Sequence, residues 1–297
     1  MPALFQSKQT LNMLLFVVIV GLGLLAWLIP PEDADSKHAV RARISNLPAE
    51  QISSIEIRIK NKPETRLEKR AGRWFMIAPI HIEANDFLAN RVTTLLNSEY
   101  SSTFALDKDP LAKFGLSPAW ISVKLDKQQI DLGHSNRLTQ QRYIWYQNAV
   151  FMIADNIPTL LNAAPSGFIS TKILPSDSHI IAVEFEDYSI ERQDERWLLR
   201  RKDASTNAIL SQDLFVKFID EWRLAQAIYV RLGKAGTTEK PMAALPIVVI
   251  LADGQKIGFD IMDEDTGKQL LRPDLGIYYH IHKDTAQTLL NFPPNGE

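Results

Sequence analysis

The sequence predicts an α+β protein: a transmembrane helix followed by two duplicated mixed domains, each an antiparallel sheet with helices packed on one face. Three observations lead there. One apolar run near the start carries no charge, the hydrophobic period of the body switches between two and 3.6 residues, and the order of elements recurs about 125 residues later.

The apolar run is Leu11 to Ile29, LNMLLFVVIVGLGLLAWLI. About 19 residues at roughly 1.5 Å each cover nearly 30 Å of hydrocarbon, enough for one crossing. Trp27 suits the headgroup layer, and Pro30-Pro31 stops the helix. A cleaved signal peptide is the competing reading, but the run exceeds the usual core of roughly 7 to 15 residues and no small-x-small site follows it before Pro30. Lys8 precedes the run while Glu32, Asp33 and Asp35 follow it, which places residues 1–10 in the cytoplasm and the body outside it. The expected organisation is a tail over 1–10, a transmembrane helix over 11–29, a linker over 30–43, a first repeat over 44–165, a linker over 166–178 and a second repeat over 179–297.

In the first repeat, Ile55, Ile57 and Ile59 alternate with Glu56, Arg58 and Lys60, the period of a half-buried strand. Arg66 to Arg70 and Trp74 to Ile77 read as the next strands, joined by a turn at Ala71-Gly72. Leu88, Val92, Leu95 and Leu96 fall on one helical face, with Asn85 or Asp86 as cap. A short helix starts at Asp109-Pro110 and ends near Gly115. Ile121 to Leu125, Ile130 to Leu132, Tyr143 to Trp145 and Val150 to Ile153 form a meander, and a helix over Ile157 to Asn162 closes the unit.

The same order returns from His179. Ile181, Val183 and Phe185 alternate, followed by strands at Ser189 to Arg192 and Trp197 to Arg201 and a helix from Ser211 that groups Phe215, Phe218, Ile219 and Trp222. Strands at Ile247 to Leu251, Ile257 to Ile261 and Ile277 to His282 complete it. Trp74 answers to Trp197, Asn85 to Ser211, and Thr159-Leu160-Leu161-Asn162 to Thr288-Leu289-Leu290-Asn291. Pro165, Gly167 and Pro175 mark the join as a linker.

Charge and motifs narrow the function. A net charge of -2 provides no field for nucleic acid, so no nucleic-acid partner is expected. The absence of cysteine removes disulfides, thiolate metal sites and a cysteine nucleophile. No Gly-rich phosphate loop, G-x-S-x-G elbow or H-E-x-x-H pair occurs, so neither a cofactor nor a catalytic residue is expected. The acidic stretch Asp260 to Gly267 reads as a solvated hairpin. Trp74 and Trp197 read as core under the helices.

Three clusters remain as candidates. Tyr143, Trp145 and Tyr146 place three aromatic rings within four strand residues, and alternation forbids all three from sharing one core, which makes them the leading partner interface. Arg196, Arg200 and Arg201 could meet an anionic lipid or glycan, against the plainer reading of a protected strand edge. His280 and His282, at i and i+2, share a strand face and so have the spacing of a ligand pair. Aligned on TLLN, they fall opposite Phe151 and Ile153, while Asp284 falls opposite Asp155 as a helix cap, which points to strand rather than metal.

WFMIAPIHIEANDFLANRVTTLL at Trp74 to Leu96, LAKFGLSP at Leu111 to Pro118, LGHS at Leu132 to Ser135, RYIWY at Arg142 to Tyr146 and VFMI at Val150 to Ile153 together resemble a bacterial family, the domain of unknown function numbered four-three-four-zero. The second repeat lacks the Phe-Gly-Leu-Ser-Pro segment and has AALPIVVI at Ala243 to Ile250 instead. The resemblance implies a membrane-anchored protein of repeated α/β units that works beside an ABC-type transporter and its GldG-like partner. The sequence therefore predicts a non-enzymatic accessory or scaffold subunit of an envelope transport or assembly complex, touching lipid through its anchor. The alternatives are a membrane-tethered enzyme or ligand binder acting on envelope glycan or lipid, and a component of a secretion or pilus machine.

Overall fold

The computed structural model describes residues 13, 15–22, 42–105, 109–202, 210–233, 245–264 and 267–292. The chain divides into two units, Met1–Ala42 and Arg43–Glu297. In the first, Met13 and residues 15–22 are helical, and Leu15, Phe16, Val17, Val18, Ile19, Val20 and Leu22 are all exposed. Most of the rest of the expected span from Leu11 to Ile29 lies outside the described residues. No helix among the described residues is long and apolar enough to cross a membrane.

The second unit holds two antiparallel sheets. The first contains β1 (Ser54–Ile59), β2 (Thr65–Arg70), β3 (Arg73–Ala78), β4 (Ile82–Glu83), β5 (Tyr100–Ala105), β6 (Ile121–Leu125), β7 (Gln128–Asn136), β8 (Gln141–Tyr146) and β9 (Ala149–Ala154). Helix α1 (Asp86–Thr93) lies between β4 and β5, and α2 (Ile157–Leu161) follows β9. The second sheet contains β10 (Ile180–Glu184), β11 (Tyr188–Gln193), β12 (Arg196–Arg201), β13 (Tyr229–Leu232), β14 (Leu245–Leu251), β15 (Lys256–Glu264), β16 (Gly267–Arg272) and β17 (Ile277–His282), with α3 (Gln212–Leu224) after β12 and α4 (Lys283–Leu290) after β17.

Strand order is β4-β3-β2-β1-β6-β7-β8-β9-β5 in one sheet and β12-β11-β10-β14-β15-β16-β17-β13 in the other. Apart from β4, the two orders coincide. In each, a three-stranded meander meets a four-stranded one at its first strand, and the strand after the long helix returns to the far edge.

Each sheet grips its helix in the same way. Asn85 caps α1 by accepting the Leu88 amide at 3.1 Å, and Ser211 caps α3 by accepting that of Leu214 at 3.4 Å. The next residue reaches back to the preceding strand: Asp86 Oδ1 accepts the Trp74 amide at 2.7 Å, and Gln212 Oε1 accepts the Trp197 amide at 2.8 Å. Both indoles are buried beneath these helices. At the closing helices, Thr159 donates its hydroxyl to the Asp155 carbonyl and Thr288 donates to that of Asp284.

Residues 166–178, expected as a linker, are structural interior. Phe168, Ile169, Ile173 and Leu174 are buried, and one continuous apolar cluster runs through them from Ile52 to Phe292. Their backbone bonds to both halves. The Asn85 amide donates to the Phe168 carbonyl and the Ser170 amide to that of Glu83, while the Ala227 amide donates to Thr171 and the Ile173 amide to Ala225. A buried backbone must find such partners, and this one divides them between the two sheets.

Several local expectations change. Ile181, expected inside, is 37% exposed, because a bulge between Ile180 and Ala182 reverses the facing of β10 before Val183. Strands β4, β5, β13 and β16 were not legible in the sequence.

Phe168→Ala is expected to lower stability by about 3–5 kcal/mol, the usual cost of deleting a buried phenyl ring. Because the core is continuous, urea unfolding should remain a single transition for both sheets; two separated transitions would contradict a shared core.

Candidate functional site

The paired histidines separate in role. On β17, Ile277, Tyr279 and Ile281 face the core, so His280 and His282 lie on the opposite face. Ladder pairing fixes the correspondence with the first sheet: Arg142 faces Ile153 as Lys268 faces Ile281, and Gln141 faces Ala154 as Gly267 faces His282. His280 therefore matches Met152 and His282 matches Ala154, one residue away from the alignment on TLLN. In the second sheet one more residue lies between the end of the last strand at His282 and Thr288 than lies between Ala154 and Thr159 in the first, and a one-residue slip exchanges the two faces of a strand.

His280 is buried, with its Nε2 2.8 Å from the Gln269 amide nitrogen and its ring stacked on Tyr229 at 3.9 Å. His282 is exposed and caps α4, its Nδ1 accepting the Asp284 amide at 3.3 Å. That corrects the expected cap: Asp284 sits within the first turn, and after the first sheet Asn156, not Asp155, caps α2. Among the described residues no group of three or more His, Asp or Glu could hold a metal ion.

The aromatic cluster is divided by strand alternation. Tyr146 is buried in the main core and donates its hydroxyl to Gln128 Oε1 at 2.9 Å. Tyr143 and Trp145 project from the other face, half-buried in a small cluster with Phe104, Leu111, Phe114 and Leu116. Phe114 packs on Tyr143 with ring centroids 4.7 Å apart. The chain thus supplies its own cover through the turn after Asp109–Phe114. Two glycines permit it: Gly115 has φ +70° and lies against the His134 ring, and the Phe114 carbonyl packs on Gly133 where a Cβ would stand.

Arg196, Arg200 and Arg201 lie on β12, an edge strand. Arg200 pairs with Glu191 at 2.9 Å, and all three side chains are exposed. At the far edge of the first sheet, β5 pairs only with β9 among the described residues. Among the described residues each sheet therefore has an edge without a further strand neighbour, one polar and one basic, the Trp197 amide and carbonyl on the basic edge being bonded by the Gln212 side chain.

A cleft of about 280 Å³, which no sequence pattern indicated, opens where β2 to β4, the connector and β16 to β17 meet. Met76, Ile173 and Leu174 form apolar wall; Arg70, His81 and Lys172 stand at the rim. Arg272 and Tyr279 line it from the second sheet and are both buried. Arg272 Nε donates to Asp274 Oδ1 at 3.1 Å. The Tyr279 hydroxyl is buried without a hydrogen-bond partner, and desolvation pushes its pKa up to about 12 despite the neighbouring Arg272 charge. Tyr188, stacked on Phe185 at 4.5 Å, is likewise pushed up to about 12 by burial.

No family model, curated protein or solved structure matches this chain.

Gly133→Ala must displace the Phe114 carbonyl, so a loss of about 1–3 kcal/mol is expected, typical of overpacking, together with increased solvent exposure of Trp145 by fluorescence. The tyrosines set an alkaline limit. Both hold their proton more tightly folded than unfolded, so their stabilising contribution is complete below pH 10 and is lost as pH rises towards 12. Urea midpoints measured across that window should fall for the wild type and fall less for the Tyr188→Phe, Tyr279→Phe double variant.

Proposed function

We propose that this chain is a non-enzymatic, single-pass accessory subunit of an envelope ABC-type transport or assembly complex. Its body lies in the periplasm as two duplicated repeats and docks protein partners, including a GldG-like subunit. The observation that carries the reading is the helix at residues 15–22, whose bare side chains are apolar throughout apart from Gly21. A helix hydrophobic all round belongs in a protein core or a bilayer, and the uncharged run from Leu11 to Ile29 has the length for the bilayer.

Other features support the reading. The common strand order and the matched helix clamps at Trp74 and Trp197 support duplication. The edges β5 and β12, which have no further strand neighbour among the described residues, offer main-chain docking, on β12 beyond Trp197. Half-cover by Phe114 makes Tyr143 and Trp145 secondary to those edges. The ABC-type partner comes from the resemblance of Trp74 to Ile153 to the membrane-anchored family. Of the alternatives, ligand binding is favoured by one observation, the cleft beside Tyr279.

Crosslinking in native membranes is expected to recover transporter subunits with the chain. Recovery of the chain alone, as a monomer, sinks the proposal. Deleting residues 11–29 is expected to release the body from membranes; retention would remove the anchor.

A further inference from the structure

We infer that the cleft between the two sheets binds a small oxyanion carried on an apolar body, a carboxylate or phosphomonoester, with the Tyr279 hydroxyl as its hydrogen-bond donor and Lys172 as its cationic rim. The inference is independent of any transporter partner. It rests on what the cleft lacks and on what it already satisfies.

Tyr279 is fully buried, its hydroxyl has no partner, and a phenol left without an acceptor in a protein interior is costly. An acceptor supplied by a ligand would satisfy it. The one carboxylate lining the cleft is committed elsewhere: Glu83 takes the Ser176 amide at 3.1 Å and the Ser176 hydroxyl at 2.8 Å, and pairs with Arg73 at 3.4 Å.

Charge selects the sign of the ligand. Arg70 is neutralised by Glu68 at 2.8 Å, and Arg272 by Asp274. Lys172 instead donates to the neutral Ser176 hydroxyl at 2.9 Å and has no carboxylate partner among the described residues. The cleft therefore keeps an uncompensated positive charge at its mouth. Met76, Ile82, Ile173 and Leu174 give the rest of the ligand apolar contact. At about 280 Å³ the space lies just under the roughly 300–1,000 Å³ of pockets for drug-sized molecules, which limits the ligand to a small one. Such a ligand would touch β3, the connector and β17 at once and bridge the two sheets.

The test is isothermal titration calorimetry on the full chain in non-ionic detergent, with benzoate, phenyl phosphate and neutral benzyl alcohol as probes. Saturable binding of one or both anions, weakened by added salt, is expected, and the tighter of the two identifies the oxyanion. Tyr279→Phe removes only the unpartnered hydroxyl, so it should leave the unliganded melting temperature unchanged or raised while weakening the anion roughly tenfold. Lys172→Met, an exposed change, should weaken it also. Absence of saturable binding by both anions, equal binding of benzyl alcohol, or affinity unchanged in both variants overturns the inference.

Discussion

The connector from Pro165 to Ser178 is the constraint on which the body depends. It is a segment without regular strand or long helix, yet it is driven into the interior by Phe168, Ile169, Ile173 and Leu174. An irregular backbone at that depth is tolerable only if its amides and carbonyls are bonded, and here the partners come from Glu83 and Asn85 on one side and Ala225 and Ala227 on the other. Glu83 does more than lend its carbonyl. Its carboxylate holds Ser176 and Arg73, so one short edge strand fixes the connector's exit as well as its entry. The two sheets are therefore parts of one core.

Around that core the same solution is built twice. A residue at the start of each long helix, Asp86 or Gln212, bonds the amide of the tryptophan in the strand before it, which sets the height of the helix over the sheet. The chemistry differs, a carboxylate in one case and an amide in the other, while the geometry is kept. The opposite face of the first sheet shows a feature specific to that sheet. There Phe114 and Leu116 fold over Tyr143, and Gly115 and Gly133 are small because the turn passes so close to β7.

Much of this was readable from pattern. Strands whose residues alternate, such as Ile55 to Ile59 and Ile121 to Val123, were found because one face is buried and the other wet. The helix starts at Asn85 and Ser211 were found because capping is local chemistry. The edge strands β5 and β13 escaped because Tyr100 to Ala105 and Tyr229 to Leu232 bury too little for a period to show. The facing of Ile181 on β10 and the matching of β17 to β9 were misjudged for a related reason: a bulge or a single inserted residue shifts a register by one, and composition does not record either.

The candidate site divides along the same line. Sequence determined the apolar run, the two-period pattern, the recurrence of elements and the absence of familiar catalytic motifs, since each depends on residues near one another in the chain. It drew attention to Tyr278 to Asp284 for the histidines, which proved to be a stacked partner of Tyr229 and a helix cap. Tertiary structure decided that Tyr279, in the same stretch, turns inward to a cleft shared with Met76 and Lys172. Those residues are far apart in sequence, and only the packing of the connector against both sheets brings them together.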